Sequence, residues 1–246
     1  MIKKIVYFWK QVVIMTISEN YQKIREEIPS EVRIVVATKG RTPAEIEEVI
    51  EAGATDIGQN YVQEAEAAKK AVRGDLAQRV SWHMIGPLQK NKINKALPLF
   101  DIIQTVDSLE LAKEIDKRII KSGKEFIPIL LEINIGSEKS KYGIKPDEHE
   151  RLEEYLQQLA YDIAQLAHIR LVGLMTMGAF GANPEQYRQD FYRAKNIFDL
   201  LAKMRLKQVD MKYLSMGMTD SYHIAIEEGA NVVRIGTAIF GPRKNV

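Results

Sequence analysis

The sequence contains no cysteine, which removes disulfides, thiolate nucleophiles and thiolate-bound zinc or iron–sulfur centres from consideration. Its four histidines, His83, His149, His168 and His223, show no HExxH or comparable paired spacing, so nothing points to a metal centre. Neither sign of charge dominates, with 35 Lys and Arg against 33 Asp and Glu; the balance leaves no electrostatic footprint for general nucleic-acid binding. Long apolar runs are missing as well. Residues 1–15 are basic in front and apolar behind, but Lys10 interrupts the run and no small-residue cleavage site follows. The segment is a poor signal peptide and too short to span a bilayer. An upstream start ahead of a true start at Met15 is the preferred reading, with a short extra helix or interfacial anchor as the alternative. No linker, repeat or low-complexity stretch divides the remainder. Residues 15–246 are therefore expected to form one cytoplasmic domain.

What is present is alternation. At 246 residues, 46% apolar and 28% charged, the chain has the composition of an ordinary globular protein large enough for one barrel. Residues 18–28 read as a helix with Ser18 as its cap. The chain then enters Arg33-Ile34-Val35-Val36-Ala37-Thr38-Lys39-Gly40, a buried strand with an amine at its exit. Further strands are expected at 55–58, 80–86, 100–106, 126–135, 169–175, 211–216 and 231–235. Helical patterns fall between them, at 43–53, 61–72, 90–97, 107–121, 146–166, 184–206 and 219–228. Eight short apolar strands separated by amphipathic helices indicate an α/β fold, a single closed (β/α)8 TIM-type barrel; an open doubly wound sheet is the alternative.

Barrels of this kind place chemistry at the C-terminal ends of the strands, and phosphates often bind after strands seven and eight. Here those loops read Ser215-Met216-Gly217-Met218-Thr219 and Arg234-Ile235-Gly236-Thr237-Ala238-Ile239-Phe240-Gly241. Their small residues, hydroxyls and backbone N–H groups suit an anion, although glycines that simply make turns read the same way. Lys39 lies across the same mouth. A lysine beside a phosphorylated carbonyl compound suggests a Schiff base, and two ligand classes fit: a phosphosugar or pyridoxal 5′-phosphate. Arg234 leans toward the second, since a sugar phosphate has no ring nitrogen to address.

The strings VVATKG, GQNYVQE, WHMIGPLQKNK, LLEINIGSEKSKYG, LVGLMTM, YLSMGMTDSY and VVRIGTAIFGPR occur in order over residues 15–243. Together they resemble the pyridoxal phosphate homeostasis protein family. The resemblance implies a monomeric barrel of pyridoxal-phosphate fold type III, similar to the N-terminal domain of alanine racemase. It also implies the cofactor held as an internal aldimine, and roles in vitamin B6 and amino-acid balance. Carried over by residue, Lys39 matches the cofactor lysine, Ser215, Gly236 and Thr237 the phosphate contacts, and Arg234 the arginine near the pyridine nitrogen. Asn60 and Met84 match wall positions, while His83, alternating with Met84, is expected to face away as a packed histidine. Gln59, Pro87 and Gly40-Arg41 depart from the family pattern, where glutamate, histidine and a threonine–lysine pair are common. Lys139 and Lys141 are candidates for a second lysine that helps transfer the cofactor.

Alanine racemase uses a second base from a separate β domain, and the sequence shows no counterpart of that domain. The expectation is a cofactor holder with little or no catalysis, whose partners are pyridoxal phosphate and the apo-enzymes that use it or regulatory proteins. The alternatives are a weak amino-acid racemase and a Schiff-base aldolase acting on a phosphosugar.

Overall fold

The strands are short and mostly apolar, and each pairs in parallel with its neighbours, so each must be followed by a crossover, and amphipathic helices supply most of these. The computed structural model describes residues 15–136, 142–148, 151–178 and 181–242. Residues 1–14, expected above to be an extension, and Lys139 and Lys141 lie outside the described residues.

The strands are β1 Arg33–Ala37, β2 Asp56–Gln59, β3 Ser81–Met84, β4 Ile102–Val106, β5 Ile127–Ile133, β6 Ile169–Thr176, β7 Val209–Ser215 and β8 Val232–Ile235. They close in that order into a barrel, with β8 pairing back onto β1 through Arg33↔Val232 and Val35↔Arg234. The helices are α1 Ile17–Glu27, α2 Pro43–Glu51, α3 Val62–Ala71, α4 Gly74–Gln78, α5 Ile93–Ala96, α6 Leu109–Ile119, α7 Leu152–Ile163, α8 Pro184–Ala202, α9 Tyr222–Glu227 and α10 Thr237–Phe240. No helix among the described residues is long and apolar enough to cross a membrane.

Local chemistry sets the helix starts. Thr16, not Ser18, caps α1, because Thr16 and Glu19 form a reciprocal capping box; Thr42 and Glu45 do the same for α2, with Pro43 in its first turn. The short helices α4 and α10 escape the sequence reading, being too brief to show periodicity. The helix expected from 146 starts at Leu152, after a 3₁₀ turn at Pro146–Glu148.

Alternation along the strands divides the core in two. Val36, Ile57, Trp82 and Ile103 face the helices and join the main apolar layer with Ile46, Ala65 and Ala112. Each large side chain fully buried there contributes about 1.5–3 kcal/mol. Inside the barrel, Val35, Ile85 and Val232 form one small cluster, and Ile102, Leu130 and Met175 another. Between these clusters the interior is polar. Asp56, His83, Gln104, Glu132, Ser215 and Arg234 are all buried, where many barrels stack branched apolar residues.

Candidate functional site

The strand that carries Lys39 ends two residues before it. Thr38 is buried, its N–H donating to the Gly58 carbonyl at 2.9 Å and its hydroxyl to the same oxygen at 3.2 Å. That pin ends the strand and delivers Lys39 to the C-terminal mouth, half-buried, with its Nζ 4.9 Å from the centroid of the Tyr61 ring. Gly40 turns the chain away with φ +68°, a left-handed conformation that favours glycine, and its N–H donates to Glu64 Oε2 at 3.0 Å.

Across the mouth, β8 runs so close to β1 that a Cβ on Gly236 would stand 3.1 Å from the Ala37 carbonyl oxygen. After β7, Gly217 takes φ +90°, and a Cβ there would fall 2.6 Å from that of Ala225. These approaches bring Gly236, Thr237 and Thr219 into one wall of a cavity of about 280 Å³, which Lys39, Asn60 and Arg234 complete. Lys39 and Asn60 also border a neighbouring cavity of about 650 Å³, lined further by Met84, Pro87, Thr105 and Asp107. Five of the expected residues thus share one cavity, with Met84 in the next. The Ser215 hydroxyl is the exception: it lies wholly buried behind Arg234.

Arg234 is the hinge between mouth and barrel interior. Its Nη1 donates to the Ser215 carbonyl at 2.9 Å and hydroxyl at 2.7 Å, and its Nη2 to the Thr176 carbonyl at 2.8 Å. Burial lowers its pKa to about 10, against an opposing pull from Glu132. The hydrogen bonds continue downward. Ser215 Oγ donates to Gln104 Oε1 at 2.7 Å, Gln104 Nε2 lies 2.8 Å from His83 Nδ1, and His83 Nε2 lies 3.0 Å from Asp56 Oδ1. With the His83 proton on Nε2, every link has one donor and one acceptor. Burial alone would raise the Asp56 pKa; hydrogen bonds from His83 and Thr55, with the nearby charge of Arg33, hold it below the usual range instead.

His83 therefore faces the barrel interior, contrary to the sequence expectation, while Met84 packs in the layer beneath the helices. The sequence reading gives Asp56, Gln104 and Glu132 no role, although Glu132 is the one polar side chain of β5 and the other two are polar residues within short buried strands.

The model of the alanine racemase N-terminal domain family matches residues 14–244. A pyridoxal phosphate homeostasis protein of Aquifex aeolicus is 36% identical over 212 residues, covering 86% of this chain and 87% of that protein. The chain belongs to the pyridoxal phosphate homeostasis protein family. Among solved structures, PipY of Synechococcus elongatus with PLP bound is 30% identical, with a TM-score of 0.78 over 92% of this chain and all of that one. Alanine racemase of Clostridium difficile, at 15% identity, a TM-score of 0.75 and coverage of 94% of this chain and 57% of that one, shares the fold.

The departures from the family pattern have definite places. Gln59 is buried, its Nε2 donating to the Thr38 carbonyl at 3.3 Å, while its Oε1 has no hydrogen-bond partner among the described residues. Arg41 is tied back by a bond from Nη2 to the Gly241 carbonyl at 2.6 Å and lies over the Phe240 ring at 4.9 Å, so it braces the mouth.

Glu132 stands apart within this family frame. Its Oε2 has no hydrogen-bond partner among the described residues. Burial and then the charge of Asp107 push its pKa up to about 7, with Arg234 pulling the other way. A carboxyl raised in the folded state favours the fold when protonated, an advantage complete below the ordinary carboxylate range and lost as pH rises through about 7. Glu132→Gln should accordingly gain stability relative to the parent, by about 1–3 kcal/mol, between about pH 5 and pH 8. Urea midpoints of both proteins across that range check this. Parallel curves would refute it.

Proposed function

We propose that this chain binds pyridoxal 5′-phosphate in the mouth cavity, with Lys39 as its covalent anchor, and serves vitamin B6 and amino-acid homeostasis as a holder of the cofactor. One observation carries the reading: an amine, a buried guanidinium and a glycine–threonine backbone wall converge on a single cavity of about 280 Å³. The cofactor, when bound, supplies an aldehyde, a phosphate and a ring nitrogen. Lys39 offers the amine that condenses with an aldehyde as water leaves. Gly236, Thr237 and Thr219 form the wall suited to the phosphate, where the missing side chain of Gly236 permits close approach. Arg234 offers the ring nitrogen a guanidinium, which does not readily give up a proton and so favours holding over carbanion chemistry.

The experiment is optical. Purified protein mixed with the cofactor should gain a visible absorbance band that borohydride converts to a covalent adduct on Lys39, and Lys39→Ala should lose both band and adduct. Protein that stays colourless with added cofactor, or an adduct that survives Lys39→Ala, would sink the proposal. A second reading, slow turnover of an amino acid, is favoured by the cavity of about 650 Å³ that shares Lys39 and Asn60 with the first. It predicts racemisation or decarboxylation that Lys39→Ala abolishes. A holder gives only stoichiometric exchange with an apo-enzyme acceptor.

A further inference from the structure

The opposite end of the barrel holds a cavity that the proposed function does not use. It measures about 510 Å³ and opens among the N-terminal ends of the strands. A barrel floor is usually plugged by packed side chains. Here β7 prevents closure: the pairings Leu171↔Val209 and Gly173↔Tyr213 set a step of two residues on β6 against four on β7, which pushes Asp210–Lys212 outward.

The walls combine three chemistries. Ile102, Leu130, Val172 and Val232 give an apolar interior. Two cations lie against aromatic faces at the rim, Arg33 over Tyr213 at 5.3 Å and Arg170 over Phe126 at 5.0 Å. His83 and Gln104 form the polar inner wall. The charges do not cancel. Arg33 is paired with Asp56 at 3.1 Å, Lys212 with Asp210 at 2.6 Å, and Asp101 with Lys124 at 3.7 Å. Among the described residues, Arg170 donates only to the Ala167 and Ile169 carbonyls, and Lys207 has no ion pair or hydrogen bond. Two cations thus border an apolar chamber without a carboxylate of their own.

We infer that this floor cavity is a second binding site, for a small organic anion with a flat apolar body and one carboxylate or phosphate group. The body fits between the aliphatic wall and the Tyr213 and Phe126 rings, and the anionic group reaches Arg170 and Lys207, a guanidinium fork and a point charge that suit either head group. The volume lies within the usual range for sites that enclose small ligands.

Calorimetric titration tests the site with benzoate and phenyl phosphate as probes, which separate the carboxylate from the phosphate source. At least one probe should saturate a single site. Benzyl alcohol and inorganic phosphate, each with half of the required chemistry, should bind at least tenfold more weakly. Lys207→Glu, an exposed substitution, and Arg170→Gln should each weaken the probe at least tenfold, equivalent to about 1.4 kcal/mol. Lys39→Ala, at the other mouth, should leave it unchanged, so the outcome is independent of what the upper cavity holds. No saturation by about 10 mM of either probe, a weak-binding limit near 3 kcal/mol, would overturn the inference. So would unaltered binding in both floor variants, or loss of binding in Lys39→Ala.

Discussion

Arg234→Met should lower the melting temperature by about 6–20 °C, the equivalent of a loss of about 3–5 kcal/mol for a chain of this size. The guanidinium is 4% exposed and donates to two strand carbonyls and one buried hydroxyl. Methionine fills much of the volume but leaves the Thr176 and Ser215 carbonyls without that donor, and each unsatisfied buried acceptor costs about 1–3 kcal/mol. Glu132 would also lose the cation that opposes its burial, so its pKa should rise further above about 7. Arg234→Lys keeps the charge but not the planar fork, and should fall between parent and Arg234→Met. Thermal and urea unfolding of the three proteins decide the matter. A loss below about 1 kcal/mol in Arg234→Met would mean that the bonds around Arg234 contribute little net stability.

Arg234 also shows where sequence reading succeeds and where it stops. The strands were legible because most carry a short apolar core between turn or capping residues, and the longer helices between them keep a 3.6-residue stripe. Lys39, Gly236 and Thr237 were legible as strand-exit residues once the barrel was inferred, since strand exits share one mouth, and Asn60 through the family resemblance. Orientation was not. Strands of a closed parallel barrel are buried on both faces, so alternation says that His83 and Met84 point oppositely but not which one points inward. The answer depends on Asp56 and Gln104, which are 27 and 21 residues from His83 in sequence and meet it only after the barrel closes. The same limit hid the position of Ser215, whose hydroxyl is taken up by Gln104 and Arg234. The floor cavity was invisible for another reason: it arises from a register shift between β6 and β7, and side-chain pattern does not encode register shifts.

That register shift depends on Gly173, and Gly173→Ala should cost about 3 kcal/mol, at the upper end of the range for overpacking. A Cβ at this position would lie 1.9 Å from the Tyr213 carbonyl oxygen and 2.8 Å from its carbonyl carbon. Both are backbone atoms, so no side-chain rotation relieves the clash; β6 and β7 must move apart where Gly173 pairs with Tyr213. The expected fall in melting temperature is about 6–12 °C. Gly74→Ala is the control, because a Cβ there meets nothing within 4 Å in the short helix α4, and it should be neutral or stabilising by up to about 1 kcal/mol. The effect should also reach the floor. Tyr213 supports Arg33 from 5.3 Å, so displacing its backbone disturbs one wall of the lower cavity while Lys39 and Gly236 remain in place above. If Gly173→Ala melts with the parent, the close approach of β6 and β7 is not what holds the two extra residues of β7 against the barrel.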